Sequence, residues 1–180
     1  MTNKELLKLL DDRGIQFVLI GGTAMQIYNS PRVTHDIDIA IRTLDVDAII
    51  RLMYENNYYL ITEVGNSSCS CALSADEADA WVEETRAGAV SFIELETKLL
   101  SKKIPHEKID ISTQVDFVFE LGIPFTRLMG NARLIELKDT SFYVASPEDL
   151  LLLKEQRRDK TEADLLDIQF LKRLIKRKNS

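Results

Sequence analysis

The stretch from Phe17 to Ile41, FVLIGGTAMQIYNSPRVTHDIDIAI, constrains this chain more than any other. An apolar run ends at Gly21-Gly22, a short helix-like segment follows, and a second run begins with Asp36-Ile37-Asp38-Ile39. Successive side chains of a strand point to opposite faces, so Asp36 and Asp38 project together while Ile37, Ile39 and Ile41 face the core. Two carboxylates held that close repel each other and need a cation, and hard oxygen donors suit Mg²⁺. Glycine lets a phosphate approach the backbone, and the free N–H groups that open the next helix favour an anion. A metal-binding carboxylate pair beside a phosphate cradle is equipment for transferring a phosphoryl or nucleotidyl group.

Around this segment, helical and strand patterns alternate. Residues 4–13 repeat leucines at helical spacing, with Asn3 as candidate cap and Gly14 as the stop. Ile15 to Ile20 reads as a buried strand, Thr23 to Asn29 as a short helix, and Asp36 to Ile41 as the second strand. Thr43 or Asp45 can cap a helix running through Tyr54, and Tyr58 to Thr62 reads as a strand. Residues 63–113 are the least legible. There, Ser74-x-x-Glu77 is a capping-box pattern opening a helix that carries Trp81. Val90 to Leu95 is strand-like, and Ser101 to Lys108 reads as a loop around Pro105. Ile109 to Glu120 returns to strand chemistry. Phe125 to Asn131 is helical, and Arg133 to Val144 is a hairpin turned at Lys138-Asp139-Thr140. Ser146-Pro147-Glu148-Asp149 combines a capping serine, proline in the first turn and two acids, a strong start for a helix through Lys154. A last helix, Glu162 to Lys176, is expected to bury Leu165, Leu166, Ile168, Leu171, Leu174 and Ile175. The order implies an α/β (α+β) fold, a mixed sheet flanked by helices. Residues 1–145 would form its core, with residues 146–180 as C-terminal helices packed on it in one compact domain.

A length of 180 residues suffices for one domain with a real core, and 45% hydrophobic with 29% charged residues is ordinary for a soluble globular protein. No apolar run approaches the ~20 residues of a membrane span. Lys4, Lys8, Asp11 and Asp12 interrupt the first leucines, unlike a signal peptide, so a cytoplasmic location is expected. Cys69 and Cys71 have no nearby histidines and read as reduced thiols rather than a structural zinc site. His35 precedes Asp36 and can touch a phosphate or line the site as a hydrogen bonder; His106 is remote in sequence. Residues 1–150 carry 14 Lys and Arg against 24 Asp and Glu, and residues 151–180 carry 9 against 5. An acidic body with a basic C-terminal segment lacks the broad positive footprint of a general nucleic-acid binder.

The spacing Gly21-Gly22, thirteen residues, then Asp36-x-Asp38 between apolar strands resembles the nucleotidyltransferase superfamily that includes DNA polymerase β. Ile20-Gly21-Gly22-Thr23-Ala24-Met25 and Arg32-Val33-Thr34-His35-Asp36-Ile37-Asp38 are similar to the AbiEii-like nucleotidyltransferase toxins and their relatives. The resemblance covers roughly residues 15–42 and 114–170. It implies Mg²⁺, two ions, as cofactor and an NTP as substrate. It also implies an acceptor hydroxyl on a small molecule, tRNA or protein, and an antitoxin protein as a partner if the chain is a toxin.

Two ions about 3.5–4 Å apart clamp the attacking and leaving oxygens in such chemistry, and two aspartates cannot ligate both well. Asp116, an acid in an apolar strand, falls where the resemblance places the third carboxylate; Asp110 shares its strand parity and is the alternative. The segment Val144 to Lys154 also resembles these relatives, whose helix carries a lysine, then an arginine and a Lys-Asp pair. Lys154 matches, Arg157 or Arg158 supplies the arginine, and the Lys-Asp adjacency is broken between Lys160 and Asp164. The expected site is therefore Asp36, Asp38 and Asp116 for metal and catalysis, with Gly21, Gly22, Thr23 and Lys154 toward the nucleotide. A helix-surface role for Lys154 is the alternative. The competing function is a nucleotide- or partner-binding module without turnover.

Overall fold

The computed structural model describes residues 1–96 and 102–178. Its helices are α1 (Asn3–Asp12), α2 (Gly21–Ile27), α3 (Val46–Glu55), α4 (Ala75–Thr85), α5 (Phe125–Asn131), α6 (Pro147–Gln156) and α7 (Glu162–Lys178). The strands are β1 (Phe17–Ile20), β2 (Ile37–Ile41), β3 (Tyr58–Val64), β4 (Ser68–Cys71), β5 (Ala89–Glu94), β6 (Lys103–Pro105), β7 (Val115–Val118), β8 (Arg133–Glu136) and β9 (Ser141–Val144). Among the described residues they form one mixed sheet in the order β6-β4-β3-β5-β7-β2-β1-β9-β8. This is the mixed sheet flanked by helices that the element order implies. No helix there is long and apolar enough to cross a membrane.

At the centre, β2 runs antiparallel to β1 and parallel to β7, which sets Ile20 beside Asp38 and Asp38 beside Asp116. Cross-strand partners share a face, so one side of β3, β5, β7 and β2 carries Tyr58, Leu60, Phe92, Val115, Phe117, Ile37 and Ile39 into the main core. The opposite side carries Tyr59, Ile93 and Asp116, and a smaller apolar cluster gathers there around Tyr59, Cys69, Cys71, Ile93, Leu95 and Ile104.

Several local expectations shift. Thr2, not Asn3, caps α1, in a reciprocal capping box with Glu5. Asp45 occupies the cap of α3 but pairs with Arg42 at 2.6 Å instead of the helix backbone. Of the loop expected over Ser101 to Lys108, Ser101 lies outside the described residues, and Lys103–Pro105 pairs with β4 as a strand. The strand expected from Ile109 is shorter, because Asp110 and Thr113 close a 3-10 turn and only Val115–Val118 joins the ladder. In α7, Leu165 and Leu166 are 51% and 59% exposed, while Asp164, Asp167, Ile168 and Leu171 face inward. Leu174 and Ile175 lie half-buried on the same side, so this face carries both the apolar residues and the charge pairing with α6 described below.

Candidate active site

The turn from β1 into α2 brings the backbone against β2. Gly21 sits at φ +59°, a left-handed conformation that costs glycine least, and a Cβ there would overlap the Asp38 carboxylate. Gly22 N–H donates to Asp38 Oδ2 at 3.2 Å, and a Cβ on Gly22 would lie 2.6 Å from Thr34 Oγ1. The two glycines therefore allow an approach between turn and strand that any side chain would block. Thr23 Oγ1 donates to the Asp36 carbonyl at 3.1 Å, so its hydroxyl braces the loop entering β2.

Asp36, just ahead of β2, Asp38 within it and Asp116 on β7 converge: one carboxylate oxygen from each lies within 4.8 Å of the others. Neutral groups support them. Thr34 Oγ1 donates to Asp36 Oδ1, and Gln114 Nε2 reaches Asp116 Oδ1 and Oδ2 at 3.0 and 3.2 Å. Burial, then the charges of Asp36 and Asp116, push the Asp38 carboxyl above its usual value, with Gly22 and Arg157 opposing. Burial likewise raises Asp116, partly offset by hydrogen bonds from Ser91 and Gln114. Asp38 and Asp116, whose ionisation is disfavoured, with the Asp36 carboxylate beside them fit a hard divalent cation, whose charge would remove that penalty.

A cleft of about 310 Å³ opens beside the cluster, lined by Gly21, Asp38, Glu120, Lys154 and Arg157 among others. Lys154 is only 5% exposed, and its Nζ is held by Asp164 Oδ1 at 2.7 Å and Asp167 Oδ2 at 2.9 Å. Arg32, from the loop before β2, shares that Asp167 Oδ2 at 2.7 Å, and Arg157 reaches Asp164 at 3.2 Å. The guanidinium of Arg157 remains half exposed and is the more available cation in the cleft.

The structure thus gathers Asp36, Asp38, Asp116, Gly21 and Gly22 at one point, with Lys154 on the cleft wall but committed to α7. Asp110 stays apart, folded onto Ser112 in its own turn with Oδ1 accepting at 2.9 and 2.6 Å. His35 is exposed, and Lys160 Nζ donates to the Arg157 carbonyl at 2.6 Å. Sequence reasoning did not single out Arg32, Thr34 or Gln114. Each lies within four residues of a candidate aspartate, and the parity of Thr34 and Gln114 with Asp36 and Asp116 was the available signal.

Residues 2–154 match the model of a protein family described as uncharacterised nucleotidyltransferase. No curated protein matches the chain. Solved structures share the fold, among them the following three. A lincosamide antibiotic adenylyltransferase, LnuA, in its lincomycin-bound crystal structure is 18% identical over 96% of this chain and 97% of that one, with a TM-score of 0.55. A candidate nucleotidyltransferase from Thermotoga maritima, TM1012, is 15% identical over 98% and 89%, with a TM-score of 0.52. An antigenic nucleotidyltransferase-like protein from Paracoccidioides brasiliensis is 14% identical over 94% and 73%, also at 0.52.

Proposed function

The chain belongs to the family of uncharacterised nucleotidyltransferases, and from that premise we propose that it moves an NMP from an NTP to an acceptor hydroxyl. The observation that carries this reading is the convergence of Asp36, Asp38 and Asp116 beside the Gly21-Gly22 turn. The acceptor oxygen attacks the α-phosphorus in line, its bond to the bridging oxygen breaks, and pyrophosphate leaves with that electron pair. Asp116 orients the acceptor hydroxyl and takes its proton. Asp36, Asp38 and Asp116 would hold Mg²⁺, which supplies charge neutralisation at the phosphates when bound. Gly21 and Gly22 let the triphosphate approach the backbone. Arg157, half exposed in the cleft, stabilises the charge gathering on pyrophosphate, while Lys154 holds α6 against α7.

The test is label transfer from each α-labelled NTP to acceptor fractions, with melting curves taken on the same samples. Asp38→Asn and Asp116→Asn should each cut transfer on the order of 10²–10³-fold or more, the scale of losing one charge-stabilising group. NTP with Mg²⁺ at 100 times its dissociation constant adds about 2.7 kcal/mol to wild type, and each kcal/mol moves the midpoint by about 2–4 °C at this size. Full turnover in both variants would end the assignment.

The burial of Lys154 favours a second reading, nucleotide or partner binding without turnover; a Mg²⁺-dependent melting shift with no labelled product in any fraction would establish it. A toxin held by an antitoxin is one setting for the first reading. Growth arrest on expression, lost with Asp38→Asn, would assign it.

A further inference from the structure

Resting on the transferase reading, we propose that the acceptor is a small molecule carrying a hydroxyl and an apolar face, bound in a pocket beside Asp116. The pocket is lined by Ile61, Val64, Cys69, Ile93, Ile109 and Gln114, with His106 at its edge, and measures about 330 Å³. That lies within the roughly 300–1,000 Å³ range of small-molecule sites.

Strand parity puts the pocket on the same face of the sheet as the aspartates. Ser91 pairs with Asp116, so Ser91 and Ile93 share its side, and Ile93 pairs with Tyr59 on that side again. Gln114 joins the two places physically. Its Nε2 is bound to both oxygens of Asp116, and its Oε1 remains to accept a hydrogen bond from a ligand hydroxyl. A molecule seated on the isoleucines would present a hydroxyl next to the carboxylate that takes its proton.

The wall chemistry selects the class. Among the described residues the pocket lining includes no lysine or arginine, so there a phosphate-rich acceptor such as an RNA end meets no fixed cation. Burial raises the Cys69 thiol, which keeps that part of the wall neutral. Val64, one of the lining residues, is 72% exposed, an apolar side chain open to solvent at the pocket. Four aliphatic side chains with one amide and one imidazole suit a ring or aliphatic body bearing few polar groups.

The test uses the full chain with Mg²⁺ and each α-labelled NTP, incubated with a cell extract divided into small-molecule, RNA and protein fractions. Val64→Arg puts a long cation across the exposed rim without touching the core, and Ile61→Trp fills the pocket itself. Label is expected in a low-mass product, with its yield falling about tenfold or more in Val64→Arg. The Mg²⁺–NTP melting shift should stay at the wild-type value in that variant, separating acceptor from nucleotide binding. Label in RNA or protein, or undiminished low-mass product from both variants, overturns this inference and leaves the transferase reading standing. No label in any fraction overturns the transferase reading first, and this one with it.

Discussion

Gly21 concentrates two constraints in one residue, a left-handed backbone and a carboxylate where a side chain would begin. Gly21→Ala should therefore destabilise the fold by about 1–3 kcal/mol and abolish transfer, because Asp38 must move to admit the methyl group. Urea denaturation and the label assay would measure both. Lys154 makes a different demand. Two buried aspartates surround it, and Lys154→Met would leave them to Arg32 and Arg157, costing about 3 kcal/mol, the low end for breaking a buried pair. Burial alone would raise the Asp164 carboxyl, but Lys154, the Thr161 N–H and Arg157 outweigh it and hold the group well below the usual range. A pKa depressed by folding contributes stability that is complete above the unfolded value of about 3.9 and is lost as pH falls toward the folded value. Denaturation midpoints should drop between about pH 5 and pH 2, and less steeply in Asp164→Asn.

At the scale of elements, α7 shows pairing and apolar pattern acting on one face. Its inward side points Asp164 and Asp167 at Lys154 and Arg32 with Ile168 and Leu171 beside them, and leaves Leu165 and Leu166 outside. Leu171→Ala should cost about 2–5 kcal/mol, whereas Leu165→Ala and Leu166→Ala should each stay within about 0.5 kcal/mol of wild type. Equal effects from all three would contradict the orientation of α7. Strands β4 and β6 are harder to read because SCSC and KIP are too short to display a period, and β6 finds its partner, β4, far back along the chain.

For the whole molecule, the main core draws Leu6 and Leu10 from α1, the central strands, Leu150 from α6 and Leu171 from α7 into one cluster. We propose on this ground that residues 146–180 belong to a single domain with residues 1–145. Unfolding followed by far-ultraviolet and by aromatic circular dichroism should then give coincident single transitions. Two separated transitions would divide the chain.

Short-range patterns were legible because their causes are short-range. A cap acts within one helical turn, as at Ser74 and Ser146, and strand parity acts over two residues, which is why Asp36 and Asp38 stand together. The Gly-Gly turn was readable because no other residue tolerates that approach. The choice of Asp116 over Asp110 depended on where β7 begins to pair with β2, a long-range register that parity cannot distinguish. The burial of Lys154 depended on a helix ten residues further on folding back across α6, and a charge pattern does not reveal which partners packing will supply.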